Sequence, residues 1–241
     1  MSKTVTPYNT SASKKEQVSE MFDNIAHSYD FLNHFLSLGI DNIWRKKAIA
    51  SIAPINPKQI LDVATGTGDL ALAALKVNPD KVTGIDISKE MVAFGVNKIA
   101  KKKLSDKVEL TVGDSEAMPF EDNSFDAITV AFGVRNFENL EKGLKEMSRV
   151  LKPEGRLAVL EISVPKRFPV KQLFYTYFRY ILPTIGRLFS KDTRAYTYLP
   201  ESVKVFPEGE KFTSILNKTG FSEAKCKKLT FGICSLYTAK K

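Results

Sequence analysis

Ile60-Leu-Asp-Val-Ala-Thr-Gly-Thr-Gly-Asp69 decides how the rest of the chain is read. An apolar run stops at small residues, and the helix-favouring segment 70–76 follows at once. A strand that feeds a Gly-rich turn and then a helix leaves backbone N–H groups and the positive end of a helix dipole facing a ligand. The spacing predicts a cofactor cradle.

Within it, Gly66-Thr-Gly68-Asp-Leu-Ala71 satisfies the G-x-G-x-x-G/A fingerprint. Asp86 lies about twenty residues further on, where an acid that binds ribose is expected. A nicotinamide or flavin enzyme fits that much. Two more acids favour S-adenosylmethionine. Asp62 ends the strand, where it can hold a methionine ammonium directly or through water, and Asp114 follows the strand-like run 108–112, where it can accept a hydrogen bond from an adenine amino group. Any one of these acids is explained as a cap or turn residue. Three in order, at the carboxyl ends of neighbouring parallel strands, form one site.

Outward from this stretch, strand and helix alternate. Strands are expected at 60–64, 81–86, 108–112, 127–131 and 155–163, with helices at 69–76, 88–103 and 140–151. The pattern predicts an α/β fold with a mostly parallel sheet and helices on both faces, joined by right-handed crossovers. Ser88 reads as a helix N-cap. Lys152-Pro-Glu-Gly155 reads as a turn in which Gly155 takes positive φ. A helix at 208–218 and strands at 223–228 and 233–238 close the sheet with an antiparallel hairpin, bringing the strands to seven.

Residues 1–15, rich in Ser, Thr and Lys, read as a disordered tail. Residues 16–241 read as a single domain with two additions. Residues 16–53 form an N-terminal helical cap, with Phe22, Ile25, Ala26 and Tyr29 at helical spacing and Trp44 as its anchor. Residues 166–200 form an aromatic helical insertion, interrupted by Pro169 and Pro183, in which Leu173, Tyr177 and Ile181 share a face. Such a segment packs on the core, walls an apolar pocket or rests on a membrane.

Composition narrows the partners. The 241 residues carry a formal charge of +9 with 43% hydrophobic and 26% charged residues, as in soluble globular proteins. Positive charge attracts nucleic acid, anionic lipid or acidic substrates without choosing among them. Cys226 and Cys234 have no metal-ligand or C-x-x-C spacing, so no metal is expected, and two free thiols fit a reducing cytoplasm. The first 13 residues lack the apolar core of a signal peptide, and no apolar window reaches the length of a bilayer span. Nothing in the sequence sets an oligomeric state.

Asp62-Val-Ala-Thr-Gly-Thr-Gly68 resembles the first motif of class I S-adenosylmethionine-dependent methyltransferases, which are Rossmann-like, though Ala64 stands where many members have glycine. Phe22-Asp-Asn-Ile-Ala-His-Ser-Tyr-Asp30 with Asn33, Ser37, Gly39 and Trp44-Arg45 resembles the N-terminal signature of the menaquinone and ubiquinone biosynthesis C-methyltransferase family. Phe132-Gly-Val-Arg-Asn136, Glu146-Met-Ser-Arg-Val-Leu-Lys-Pro153, Leu160-Glu161 with Pro165, and Tyr196-Thr-Tyr-Leu-Pro-Glu-Ser202 with Phe206-Pro207 resemble its remaining motifs, in order, from about residue 20 to the end.

The resemblance implies methylation of a ring carbon of a polyprenylated quinol, demethylmenaquinol to menaquinol, with the methoxy-benzoquinol of ubiquinone synthesis as the alternative. It places donor contacts on Thr67, Asp86, Asp114 and Ser115, beside Asp62, Gly66 and Gly68 of the cradle. Ala131, often serine in relatives, offers only backbone. A sulfonium methyl is already activated, so no metal is required. A phenol of pKa about 10 must lose about three units to react near pH 7, roughly 4 kcal/mol. One guanidinium about 4 Å away supplies roughly that much. Arg135 is the candidate for that role, with Asn136 and Tyr196 orienting the ring and His27 as a competing base. The prenyl tail gives the aromatic insertion a use as a mouth facing the bilayer, and the basic charge favours an anionic membrane surface, a peripheral location at its inner face. An RNA methyltransferase would suit the charge, but no Asn/Asp-Pro-Pro-aromatic motif or mid-chain catalytic cysteine is present, so no nucleic acid is expected. An NAD-dependent oxidoreductase leaves Asp62, Asp114 and the Phe-Gly-Val-Arg-Asn block without a role, and a non-catalytic cofactor-binding protein remains an alternative.

Overall fold

The computed structural model describes residues 5–8, 10–184, 192 and 194–241, with the backbone alone for 31–36. Its helices are α1 (Lys14–Leu36), α2 (Ile40–Ile52), α3 (Asp69–Ala74), α4 (Lys89–Lys101), α5 (Leu140–Val150), α6 (Val170–Thr176), α7 (Arg194–Val205) and α8 (Glu210–Lys218). Its strands are β1 (Gln59–Val63), β2 (Lys81–Asp86), β3 (Val108–Val112), β4 (Phe125–Ala131), β5 (Leu151–Ile162), β6 (Ser222–Leu229) and β7 (Cys234–Lys240). They form one sheet in the order β3-β2-β1-β4-β5-β7-β6, with β7 antiparallel to both its neighbours and every other pair parallel. The expected fold is present. The chain winds outward from β1 to β3, then returns to β4 on the other side, and a ligand crevice opens where the order reverses.

Strand alternation builds the two faces. Leu61 and Val63 join one core with Leu144, Met147, Phe212 and Tyr237, under α5 and α8. Ile60 joins the other with Ile49, Ala71, Ile99 and Leu160, under α2, α3 and α4. A third cluster lies over the carboxyl edge of the sheet, where Met21 and Ile25 of α1 pack against Tyr196 and Tyr198 of α7 and Met91 of α4. The first helix of the N-terminal segment and the described end of the aromatic insertion therefore pack together as one layer. No helix among the described residues is long and apolar enough to cross a membrane.

Residues 5–8 and 10–15 make defined contacts, and three expectations about later segments are corrected. The N–H of Tyr8 donates to Gln17 at 2.9 Å, its hydroxyl donates to Asp192, and α1 begins at Lys14 behind a reciprocal cap in which the N–H of Glu16 donates to the Ser13 hydroxyl and the N–H of Ser13 to the Glu16 carboxylate. Ser13-Lys-Lys-Glu16 is a capping-box sequence, a start signal stronger than the polar composition around it. Residues 152–155 do not form a free turn. They bulge out of β5, so that Leu151 pairs with Phe125 and Arg156 with Ala127. Glu154 takes the positive φ expected of Gly155, whose place is fixed by contact: a Cβ there would sit 2.7 Å from Leu151. Pro183 does not end the helical run, which passes through a π-type turn at Tyr177–Ile181 and continues through residues 182–184. The insertion is helical only from Val170, and Arg187 and Phe189 lie outside the described residues.

A charged network ties four helices around the Gly-rich turn. Lys98 of α4 bonds Asp30 of α1 at 2.6 Å, Asp69 of α3 at 2.8 Å and the Thr67 hydroxyl at 3.0 Å. Thr67 in turn donates to Asp30, while Arg45 of α2 bonds Asp69 at 3.2 Å and also Asp41. These groups are partly shielded, between the surface and buried regimes of ion pairing. Lys98→Met should therefore lower the unfolding free energy by about 1–2 kcal/mol in urea titrations. An unchanged midpoint would mean that the network contributes shape alone.

Candidate functional site

Two adjoining cavities open at the crevice. The larger, about 610 Å³, runs between α1, α2, α6, α7 and the β6–β7 turn, and its lining is mostly apolar. The smaller, about 70 Å³, lies over the ends of β2 and β3. Phe22, Tyr29, Ala64, Gly66, Ala131, Phe132 and Asn136 line both and form their common wall.

The Gly-rich turn makes this wall by being small and left-handed. Ala64, Gly66 and Gly68 have φ of 53°, 56° and 83°. Ala64 holds a conformation that glycine takes without strain, which accounts for the glycine common at this place in the resembling motif. Its N–H groups are not all free for a ligand, contrary to the expectation from the motif. The N–H of Gly66 donates to Asp86 at 2.8 Å, that of Gly68 to the Thr65 carbonyl and that of Thr65 to the Ile85 carbonyl, both at 2.9 Å.

The acids carry the polarity instead. Asp62 is fully buried and accepts from the hydroxyls of Thr65 at 2.6 Å and Thr129 at 2.7 Å. Burial pushes its carboxyl up to about 6, against the pull of those two hydrogen bonds. Asp86 accepts from Gly66 and, at 2.9 Å, from the N–H of Ser88, and burial raises it as well. Among the described residues neither makes an ion pair. Asp114 differs: Lys15 binds it at 2.7 Å, the N–H of Glu116 at 2.9 Å, and it lines the smaller cavity beside Ser115. The Thr67 hydroxyl is committed to Asp30 and Lys98.

The three residues expected to handle the acceptor ring, Arg135, Asn136 and Tyr196, all line the larger cavity. Arg135 is not a lone cation. Its Nη1 donates to the buried Glu161 at 3.0 Å and to the Phe132 carbonyl, and its Nε has no partner among the described residues. Glu161 is wholly buried at the end of β5, and burial raises its pKa although Arg135 opposes the shift. Asn136 donates weakly to the Phe132 carbonyl at 3.4 Å, and its Oδ1 has no partner. Tyr196 is buried against α1. His27 is exposed and lines neither cavity.

Sequence reasoning missed Glu161, Lys15 and Tyr198 as parts of the site. A carboxylate closing the apolar run Leu157-Ala-Val-Leu-Glu161 was the readable signal for the first, since a charge there is buried unless it serves a site. Lys15 had none, because only the fold brings α1 to Asp114. Lys14, beside it, donates to the carbonyls of Phe137 at 2.8 Å and Arg135 at 3.1 Å, and burial lowers its pKa to about 8.

The sequence model of the ubiE/COQ5 methyltransferase family matches residues 10–241. A demethylmenaquinone methyltransferase of Bacteroides fragilis is 52% identical over 238 residues, covering 98% of this chain and 97% of the relative. A ubiquinone/menaquinone biosynthesis C-methyltransferase of Geotalea daltonii is 47% identical over 230 residues, covering 95% and 97%. Among solved structures, a SAM-dependent methyltransferase of Thermotoga maritima shares the fold with a TM-score of 0.63 over 92% of this chain and 99% of that one, at 18% identity.

Proposed function

The chain belongs to the ubiE/COQ5 methyltransferase family, and from that membership we propose that it transfers a methyl group from S-adenosylmethionine to a ring carbon of demethylmenaquinol, giving menaquinol. The 52% identical relative is named for demethylmenaquinone alone, which favours the naphthoquinol over the benzoquinol of ubiquinone synthesis. The observation that carries the reading is Asp62, a buried carboxylate beside a left-handed Gly-rich turn, with two hydroxyls bonded to it and no ion-pair cation among the described residues. A ligand bearing an ammonium and a sulfonium suits that charge.

In this reading Asp62 holds the methionine ammonium, Asp86 the ribose hydroxyls, and Asp114 with Ser115 the adenine edge. Thr67, Gly66 and Gly68 shape the turn. The donor supplies an activated methyl, its S–CH₃ pair stays on sulfur as a neutral thioether, a ring-carbon pair makes the new C–C bond, and the ring hydrogen leaves as a proton. The chain aligns the ring carbon and raises its electron density. Arg135 supports the developing phenolate through its partnerless Nε, with Asn136 and Tyr196 orienting the ring; because Glu161 neutralises much of the guanidinium field, the effect is directional hydrogen bonding more than bulk charge.

The partner surface follows from the larger cavity. Its rim carries Leu38 and Phe231, each 83% exposed, and Leu173 at 65%, with the exposed Lys166, Arg167 and Lys171 close by in the chain. Apolar side chains at a mouth flanked by basic ones suit an anionic membrane surface from which a prenyl tail is drawn.

Three outcomes are expected. Incubation with labelled donor and reduced demethylmenaquinone should give label in menaquinol, and Arg135→Ala should lose about 10²-fold in kcat while binding the donor as before; full turnover in that variant would remove Arg135 from the chemistry. Donor affinity, followed by calorimetry, should be constant above pH 7. Asp62 titrates at about 6 in the free protein and must be ionised to hold an ammonium, so affinity should fall as the pH drops through that value, approaching tenfold per unit below it. A flat profile down to pH 5 would dissociate Asp62 from the donor. Finally, the protein should float with anionic vesicles, less so as salt rises, and indifference to lipid would argue against membrane docking.

A further inference from the structure

Among the described residues, four buried side-chain polar atoms lack a hydrogen-bond partner, and three of them are Arg135 Nε, Asn136 Oδ1 and Tyr198 Oη. All three residues line the larger cavity. Buried polar groups are paired in the great majority of cases, so three exceptions on one wall point to a ligand rather than to chance. Arg135 and Asn136 already have places in the reading above. Tyr198 has none, although it sits two residues after Tyr196 in the motif that ends at Ser202.

We infer that Tyr198 is a substrate-binding residue whose phenol hydroxyl donates a hydrogen bond to the quinol oxygen on which negative charge develops. Tyr198 lies on α7, is 2% exposed and packs in the cluster shared by α1 and α4. Packing alone would be served as well by phenylalanine, which would leave no hydroxyl without a partner. Arg135 and Glu161 both act electrostatically on the hydroxyl, so it lies within the same polar corner. Burial pushes its pKa up to about 12, which keeps it protonated, and therefore a donor, at neutral pH.

The hydrogen-bonding pattern specifies the ligand. Tyr198 Oη–H and Arg135 Nε–H are donors, and Asn136 Oδ1 is an acceptor. A quinol hydroxyl accepts and donates at one oxygen. The carbonyl of the oxidised ring has no hydrogen for Asn136. The corner therefore selects the reduced ring, an inference that rests on the quinol reading above.

Tyr198→Phe in the full chain tests it. Since the variant removes a hydroxyl that has no partner in the free protein, its thermal midpoint without ligands should equal or exceed that of the wild type. Calorimetry should show unchanged donor affinity. Turnover of reduced short-tail demethylmenaquinone should fall about tenfold to a hundredfold in kcat/KM, the range for a lost hydrogen bond to a charged oxygen. Binding of 1,4-dihydroxynaphthalene under anaerobic conditions should weaken in the variant, while naphthalene, which has no oxygen to accept a hydrogen bond, should bind both proteins alike. Equal diol binding in the two proteins, or a lowered thermal midpoint accompanying any loss, overturns the inference. If the wild type binds the diol better than the variant yet does not methylate the quinol, the substrate assignment fails and the Tyr198 contact stands.

Discussion

Two carboxylates, Asp62 and Asp86, sit buried at the ends of adjacent parallel strands, and among the described residues no ion pair compensates either of them. Even with its hydrogen bonds counted, holding Asp62 ionised at neutral pH costs about 3 kcal/mol relative to water, so its desolvation alone costs more. Much of the local structure is the means of meeting that cost. Thr65 and Thr129 turn their hydroxyls inward to one carboxylate, and the backbone of Gly66 and Ser88 turns its N–H groups to the other. The left-handed turn from Ala64 to Gly68 is what lets Thr65 and Gly66 reach both acids. Pre-organisation explains why such a site survives: the free protein bears the strain and desolvation, and a cationic ligand recovers them on binding.

The acceptor side is built on the opposite principle. Arg135 and Glu161 enter the apolar cavity as a compensated pair, with the arginine backbone N–H and guanidinium both held by the carboxylate. A paired guanidinium is fixed in orientation, and its remaining Nε–H points its donor capacity in one direction. Around that corner the wall is aromatic and aliphatic, with Trp44 locked by its indole N–H to Thr230 at 2.8 Å and by an edge contact with Phe132. Specific polar contacts at one end and an unspecific apolar channel along the rest suit a substrate with a polar ring and a repetitive hydrocarbon tail.

How much of this the sequence disclosed depends on the range of the interactions. Strands and helices were legible because period and punctuation are local: Ser88 caps α4, accepting from the N–H of Met91 as its place before the helix suggests. Asp62, Asp86 and Asp114 were legible because a parallel sheet maps strand ends onto one line. The partners of the Thr67 hydroxyl were not, since Asp30 and Lys98 come from two helices distant in the chain. Lys15 reaches Asp114 across 99 positions, beyond any window. Ser13-x-x-Glu16 was local and overlooked, outweighed by the polar residues before it.

The common wall of the two cavities bears on how the reaction is kept dry. Phe22, Tyr29, Ala64, Gly66, Ala131, Phe132 and Asn136 are shared, so two ligands filling the cavities would meet only across that boundary. A donor and an acceptor that approach from separate sides need not pass one another, and each closes the other's exposed end. Small residues are required there, because a Cβ on Gly133 would come within 2.5 Å of the Ala64 Cβ and push the wall into one cavity or the other. Phe22 and Tyr29 of α1 and Phe132 are the large side chains on the boundary, and the strain of Phe132, held at a φ of 60°, is sustained by Trp44 packed against it. In the reading proposed above the methyl crosses at this mostly apolar boundary, and a sulfonium facing a desolvated ring carbon there would lose little to hydrolysis. Exclusion of solvent at that boundary therefore depends on backbone conformation after β1 and β4 more than on any single catalytic side chain.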